Sequence, residues 1–185
     1  MTTAPLALQH AARIMCLVGL AMITPAGTGH AETPRAGSPI SADEVYLDHL
    51  QGHWWMEGTL GGKPVRYRAH GERVLQGGFL RLHMIDAAAR PQYEADVYIG
   101  FDAKAHEYVA HWLDRFGAAG ARVVATGHRD GERLVLTFPY AEGAFRDTFT
   151  FEPQSSTWTL LLESLEANGS WSTFARYTLM RAPHP

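Results

Sequence analysis

Asp114 and Asp147 are the residues of this chain whose surroundings could do chemistry. Asp114 shares a face with Tyr108, Ala110, Trp112 and Phe116 on an alternating stretch, with His111 and Arg115 on the other side. Asp147 shares a face with Phe145, Phe149 and Phe151, against Arg146, Thr148 and Thr150. A carboxylate facing an apolar interior costs on the order of several kcal/mol unless it is paired, hydrogen-bonded or neutralised. Each therefore needs a partner. Tyr67, Arg81, Arg122 and Tyr177 could supply one, and so could water or a ligand. An aromatic wall with one polar anchor is what a pocket uses to bury and orient a small molecule. The alternative places each carboxylate at a strand end, in water. That alternative is favoured for Asp147. For Asp114, two residues after Trp112 and close to the Gly117–Gly120 turn, the two readings balance.

A second constellation depends on register. Phe79, Arg81, His83 and Ile85 form one face of a strand-like stretch, and Leu80, Leu82 and Met84 form the other. The all-aliphatic face is the expected core, which sends Arg81 and His83 to the surface. In the opposite register they enter the interior as an anion-binding pair. His53, His70, His83, His111 and His128 also fall on strand-like stretches. Zinc needs three or four ligands converging at about 2.0–2.3 Å, and no pair here has a recognised ligand spacing, so no metal or other cofactor is expected. There is no Gly-x-Ser-x-Gly elbow, P-loop or His-Glu-x-x-His. Asn168-Gly169-Ser170 matches a glycosylation acceptor but is better explained as a hairpin turn.

The elements that must hold these residues are short strands. From Gly52 onward turn signals recur, among them Gly61-Gly62, Arg90-Pro91, Asp130-Gly131, Glu142-Gly143 and Asn168-Gly169. About ten segments of strand length lie between the turns. Consecutive hairpins without helical periodicity predict an all-β, antiparallel, up-and-down meander, and closing it into a barrel removes the exposed edges. Taking apolar faces as inward, Tyr93, Ala95, Val97, Ile99 and Phe101 face the interior. So do Trp54, Met56 and Gly58, and the row from Trp171 through Ala175, Tyr177 and Leu179 to Arg181. Leu161, Leu165, Phe174 and Met180 then fall on outer faces. Such a patch needs a cover, either the N-terminal helix or a second copy in a homodimer.

Ahead of the barrel the chain reads as a leader and a linker. Arg13 precedes a ten-residue apolar run, Ile14 to Ile23, too short to span a bilayer. Gly29-His30-Ala31 offers small residues at −3 and −1, so residues 1–31 are expected to be a signal peptide and the mature protein periplasmic or secreted. Cleavage removes Cys16, the only cysteine, and lowers the formal charge from −3 to −4. A mildly acidic, thiol-free chain argues against nucleic-acid binding and against disulfides, and after cleavage nothing is expected to insert in a membrane. Residues 32–40, with Pro34, Gly37 and Pro39, read as a flexible linker. Residues 41–185 form the single expected domain. It opens on Ser41-Ala42-Asp43-Glu44, a capping box for a short helix over about Ala42 to Leu50 that can plug a barrel end.

Gly52-His53-Trp54 opening the first strand and Arg181 closing the last resemble the calycin group of barrels, lipocalins and their relatives. The resemblance implies that Arg181 packs over the Trp54 indole and shuts one end. From Leu47 to Arg181 the chain also resembles a bacterial exported family known only as a domain of unknown function, with a lipocalin-like barrel. The likeness rests on Leu50-Gln51-Gly52-His53-Trp54, Val74 to Leu80, Ile99-Gly100-Phe101-Asp102, His111-Trp112-Leu113-Asp114 and Tyr177-Thr178-Leu179-Met180-Arg181. Haem barrels of the nitrobindin type continue as Gly-x-Trp-x-Gly-x-Gly. Met56 takes the first following glycine position here, which disfavours haem.

Three functions follow as expectations. The first is a container that holds a small apolar or amphipathic molecule, with ligand-binding candidates Trp112, Asp114, Tyr67, Tyr177, Asp147, Arg81 and His83. The second is an enzyme using Asp114 as acid or base, assisted by Tyr177 or His83; the fold does not exclude it. The third is a filled barrel that acts through its outer patch.

Overall fold

In a computed structural model the described residues are 41–183. The expected signal peptide and linker lie outside them. The capping box forms as the sequence predicts. Ser41 Oγ accepts the Glu44 N–H at 3.1 Å and Glu44 returns a bond to the Ser41 N–H at 2.8 Å. It starts helix α1, Ala42–Asp48.

Ten strands follow: β1 (Gly52–Leu60), β2 (Lys63–Val74), β3 (Phe79–Asp86), β4 (Glu94–Asp102), β5 (Glu107–Asp114), β6 (Val124–Asp130), β7 (Arg133–Phe138), β8 (Phe145–Glu152), β9 (Thr157–Leu165) and β10 (Trp171–Arg181). Each pairs antiparallel with its sequence neighbour, and β1 pairs with β10, so the meander closes into a ten-stranded up-and-down barrel. Closure satisfies both edges of what would otherwise be an open sheet.

The inward faces are the apolar ones. Leu80, Leu82 and Met84 of β3 are buried, as are Ala95, Val97 and Ile99 of β4 and Ala175, Tyr177 and Leu179 of β10. The register expected from alternation therefore holds on β3, on β4 and from Ala175 onward on β10, whereas Trp171, expected inward, pairs with Leu165 and lies under the outward Arg146 guanidinium. One irregularity interrupts β10. A bulge between Thr173 and Ala175 keeps Phe174 outside, where its ring meets Phe145 edge-on at 5.2 Å.

Helix α1 fills one barrel end. Tyr46, Leu47 and Leu50 are buried there, and Tyr46 meets the rings of Trp158 and Tyr108 edge-on at 5.2 and 6.5 Å. The helix therefore does not serve as the cover considered for the outer apolar residues. Phe174 and Met180 remain 38% and 39% exposed. Arg176 opposes Leu161 and breaks the row. The physical reason is that α1 buries more apolar surface inside the ring of strands than it could on a broken outer row.

Candidate functional site

The plugged end is assembled around the helix terminus. The last carbonyls of a helix have no partner within it, and aromatic and guanidinium donors meet the carbonyls that follow α1. Trp158 Nε1 donates to the His49 carbonyl at 3.2 Å, Trp54 Nε1 to the Leu50 carbonyl at 2.8 Å, and Arg181 to the carbonyls of Gln51 and His49. Arg181 also lies 3.9 Å over the Trp54 ring. Arg181 thus packs over the Trp54 indole at this end, the contact that the resemblance implies. Next to them, Met56, Leu82, Leu136, Leu160 and Leu179 are 0% exposed, which makes the middle of the barrel a packed layer.

The opposite end differs in composition. Tyr67 and Tyr177 meet edge-on at 5.8 Å, and Tyr67 meets Tyr93 at the same distance. Trp112 Nε1 donates to the Tyr93 hydroxyl at 3.1 Å. A run of four aromatic residues thus crosses from β10 through β2 and the segment before β4 to β5. On the far wall, Tyr140 stacks on Phe138 at 6.0 Å and meets Phe145 edge-on. Tyr67 and Tyr177 are buried, while Trp112, Tyr93 and Tyr140 are half-buried. Burial raises the phenols of Tyr67, Tyr93, Tyr140 and Tyr177, so all four are neutral at pH 7.

Both candidate carboxylates, Asp114 and Asp147, point into this end, and the structure reverses their expected order. Asp114 is half-buried at the rim and has partners. It accepts the Phe116 N–H at 2.9 Å and a hydrogen bond from the Tyr93 hydroxyl. Burial pushes its carboxyl above the usual range, against the pull of those two bonds. Asp147, favoured above as a solvated strand-end residue, is only 3% exposed. Its cross-strand neighbours are Leu136 on β7 and Leu162 on β9, both buried. Among the described residues no hydrogen bond or ion pair reaches its carboxyl. Burial alone pushes its pKa up to about 8. Tyr93, Tyr140 and Tyr177 are the titratable groups that feel its charge. The missed signal was the strand's second neighbour. Asp147 stands two residues inside the first residue of β8, not at its tip.

Arg81 and His83 stand on the outer face, so the register that would have brought them into the interior does not occur. Arg81 makes a two-toothed contact with Asp96, Nε to Oδ1 at 2.7 Å and Nη2 to Oδ2 at 3.1 Å, and reaches Glu72 at 3.1 Å. His83 Nδ1 lies 2.9 Å from Asp96 Oδ1. Four acidic and basic groups on neighbouring strands thus satisfy one another outside the barrel. Arg122, offered as a partner for the carboxylates, is exposed in the loop before β6.

No protein-family model and no curated protein matches this chain. What the chain is rests on its geometry: a ten-stranded antiparallel barrel, plugged by a helix at one end and lined with tyrosines and a buried carboxyl at the other.

His53, His70 and His83 are direct cross-strand partners in a row on the outer face, with the first two rings stacked at 4.3 Å. Among the described residues no three His, Cys, Asp or Glu side chains converge closely enough to hold a metal ion.

Proposed function

We propose that this protein binds a small amphipathic molecule in the end of the barrel away from the helix. Tyr67, Trp112 and Tyr177 bury its apolar part, and Asp147 meets its polar group. The observation that carries this reading is the unpartnered Asp147 carboxyl at 3% exposure. A group in that state costs stability, and a site that stores such a cost is typically one that a ligand completes. The packed middle layer of Met56, Leu82, Leu136, Leu160 and Leu179 leaves no path for a long chain running through the barrel. The likeness to calycin barrels supports the same reading, since closed barrels of that group hold ligands in their mouths.

The test is native mass spectrometry of the mature protein purified from its own host, with an absorption spectrum on the same sample. A reproducible bound small molecule supports the reading. Binding lost in a Trp112→Ala variant locates it in the mouth, and a Soret band would replace it with haem. The same preparation tests export, because N-terminal sequencing that starts near Glu32 is expected if residues 1–31 are removed.

A second reading has its own observation. A carboxyl pushed up to about 8 is poised to give and take a proton at neutral pH, which would make Asp147, rather than Asp114, the acid–base group of an enzyme in the same mouth. Homodimerisation through Leu161, Leu165, Phe174 and Met180 is a separate proposal, resting on the exposure of Phe174 and Met180. Sedimentation velocity of the mature protein tests it, and a monomer at every concentration ends it.

A further inference from the structure

Resting on the reading of the mouth as a binding site, we infer that its ligand carries a positive charge: an organic ammonium group seated against Asp147 among the tyrosine rings. Three inward positions at this end are carboxylates: Asp147, Asp114 and Asp86, the last opposite Tyr67 at the end of β3. Asp86 and Asp114 are occupied by loop N–H groups, those of Ala88 and Gln92 for the first and Phe116 for the second. Asp147 is not. Among the described residues no Arg or His takes an inward position at this end, and the one Lys that does by alternation, Lys63 at the first position of β2, is exposed at the rim. The other alternating positions are apolar, aromatic, small or acidic. The inward guanidiniums, Arg73, Arg129 and Arg181, are all at the plugged end, where each bonds to α1 or the carbonyls after it. Beneath the exposed Lys63 at the rim, the mouth is thus acidic and aromatic, with no buried or half-buried cation.

That combination selects its occupant. A neutral aromatic face attracts a cation through its quadrupole, and a desolvated carboxylate attracts one through charge. An anionic ligand would meet three carboxylates, with only the solvent-exposed Lys63 at the rim as a counter-charge. A neutral hydroxyl-bearing ligand could accept a hydrogen bond from the protonated Asp147 but would gain nothing from the absence of buried basic groups.

Proton balance gives the proposal a readout of its own. The groups facing Asp147 are the neutral phenols of Tyr93, Tyr140 and Tyr177, with Leu136 and Leu162 on the flanking strands and Asp114 beyond Tyr93. None takes up the Asp147 proton. When a permanent cation enters at pH 7, the carboxyl ionises and one proton leaves to the buffer.

The experiment is titration calorimetry of the mature protein with benzyltrimethylammonium, benzyl alcohol and benzoate, three probes with one ring and different charge. The cation is expected to bind at least about tenfold tighter than either of the others. It should release close to one proton at pH 7, read from buffers of different ionisation enthalpy. Its affinity should rise by up to about tenfold per pH unit until Asp147 is ionised, then level off. Asp147→Asn should weaken the cation at least about tenfold and abolish the proton release. If benzyl alcohol binds as tightly as the cation, the container reading stands and the cation assignment falls. Tighter binding of benzoate also overturns it. If none of the three binds, the mouth is not a site for molecules of this size and both readings fall. Should Asp147→Asn not fold, the proton count on the wild type decides alone, and a count of zero overturns the proposal.

Discussion

Trp54 and Arg181 are direct cross-strand partners at the plugged end, with the guanidinium 3.9 Å over the indole and both side chains donating to carbonyls just after α1. One pair of residues therefore joins the first strand to the last and fastens the helix inside the ring. It does so with donors that the carbonyls at the helix end would otherwise lack.

Replacing Arg181 with alanine removes a cation–π contact and two charge-assisted hydrogen bonds. The expected cost is about 1–2 kcal/mol of unfolding free energy, read from urea denaturation. Arg181→Lys should lose nearly as much, because an ammonium cannot cover the indole and reach two carbonyls together. A loss under a few tenths of a kcal/mol would show that the plug holds without it.

Gly52 is tied to the same pair. Its φ is +108°, and a Cβ there would meet the Arg181 guanidinium. Gly52→Ala is expected to destabilise by about 1–3 kcal/mol through backbone strain and the clash. Part of that loss should disappear when measured in an Arg181→Ala background, because the clash partner is gone. Strict additivity in the double-mutant cycle would refute the coupling.

Asp147 sets a pH dependence. Its carboxyl ionises near 4 in the unfolded chain and at about 8 in the folded one. Between those values the unfolded chain has released a proton that the folded chain keeps, so this residue lowers stability as pH rises from 4 to 8, with no further loss above. The full gap corresponds to roughly 5 kcal/mol. Asp147→Asn carries no such penalty. It should match the wild type near pH 4 and exceed it by several kcal/mol at pH 9 in urea denaturation. Equal stability at both ends would mean that the folded carboxyl is solvated.

The outer network predicts the opposite slope. Burial pushes Asp96 up, but the bonds from Arg81 and His83 outweigh it and hold the carboxyl below its usual range. That contribution is present above the unfolded value near 4 and fades as pH falls through the lower folded value. Side chains about a quarter to a third exposed limit its size. Asp96→Asn should cost about 1 kcal/mol at pH 7, and the difference should shrink in acid. A difference that stays constant down to pH 2 would assign the loss to packing instead.

Much of the barrel was legible in the chain because strand patterns are local. Alternation placed Leu80, Leu82 and Met84 inward and left Arg81 and His83 outward, and the Ser41–Glu44 box marked where the helix begins. These features depend on periodicity and on neighbours a few residues away. The plug, the closing of β1 on β10 and the relative depth of Asp114 and Asp147 depend on contacts more than a hundred residues apart or on where a side chain falls along the barrel axis. Alternation tells which side a residue faces and is silent about depth. Asp114 came to rest at a rim where loop N–H groups meet it. Asp147, on a strand with the same pattern, came to rest near tyrosines drawn from β10 and from the segments before β4 and after β7, with nothing to pair with. The sequence by itself determined that two carboxylates would face inward; only the tertiary structure decided which one water and backbone could reach, because burial is a property of the assembled ring and not of any one strand.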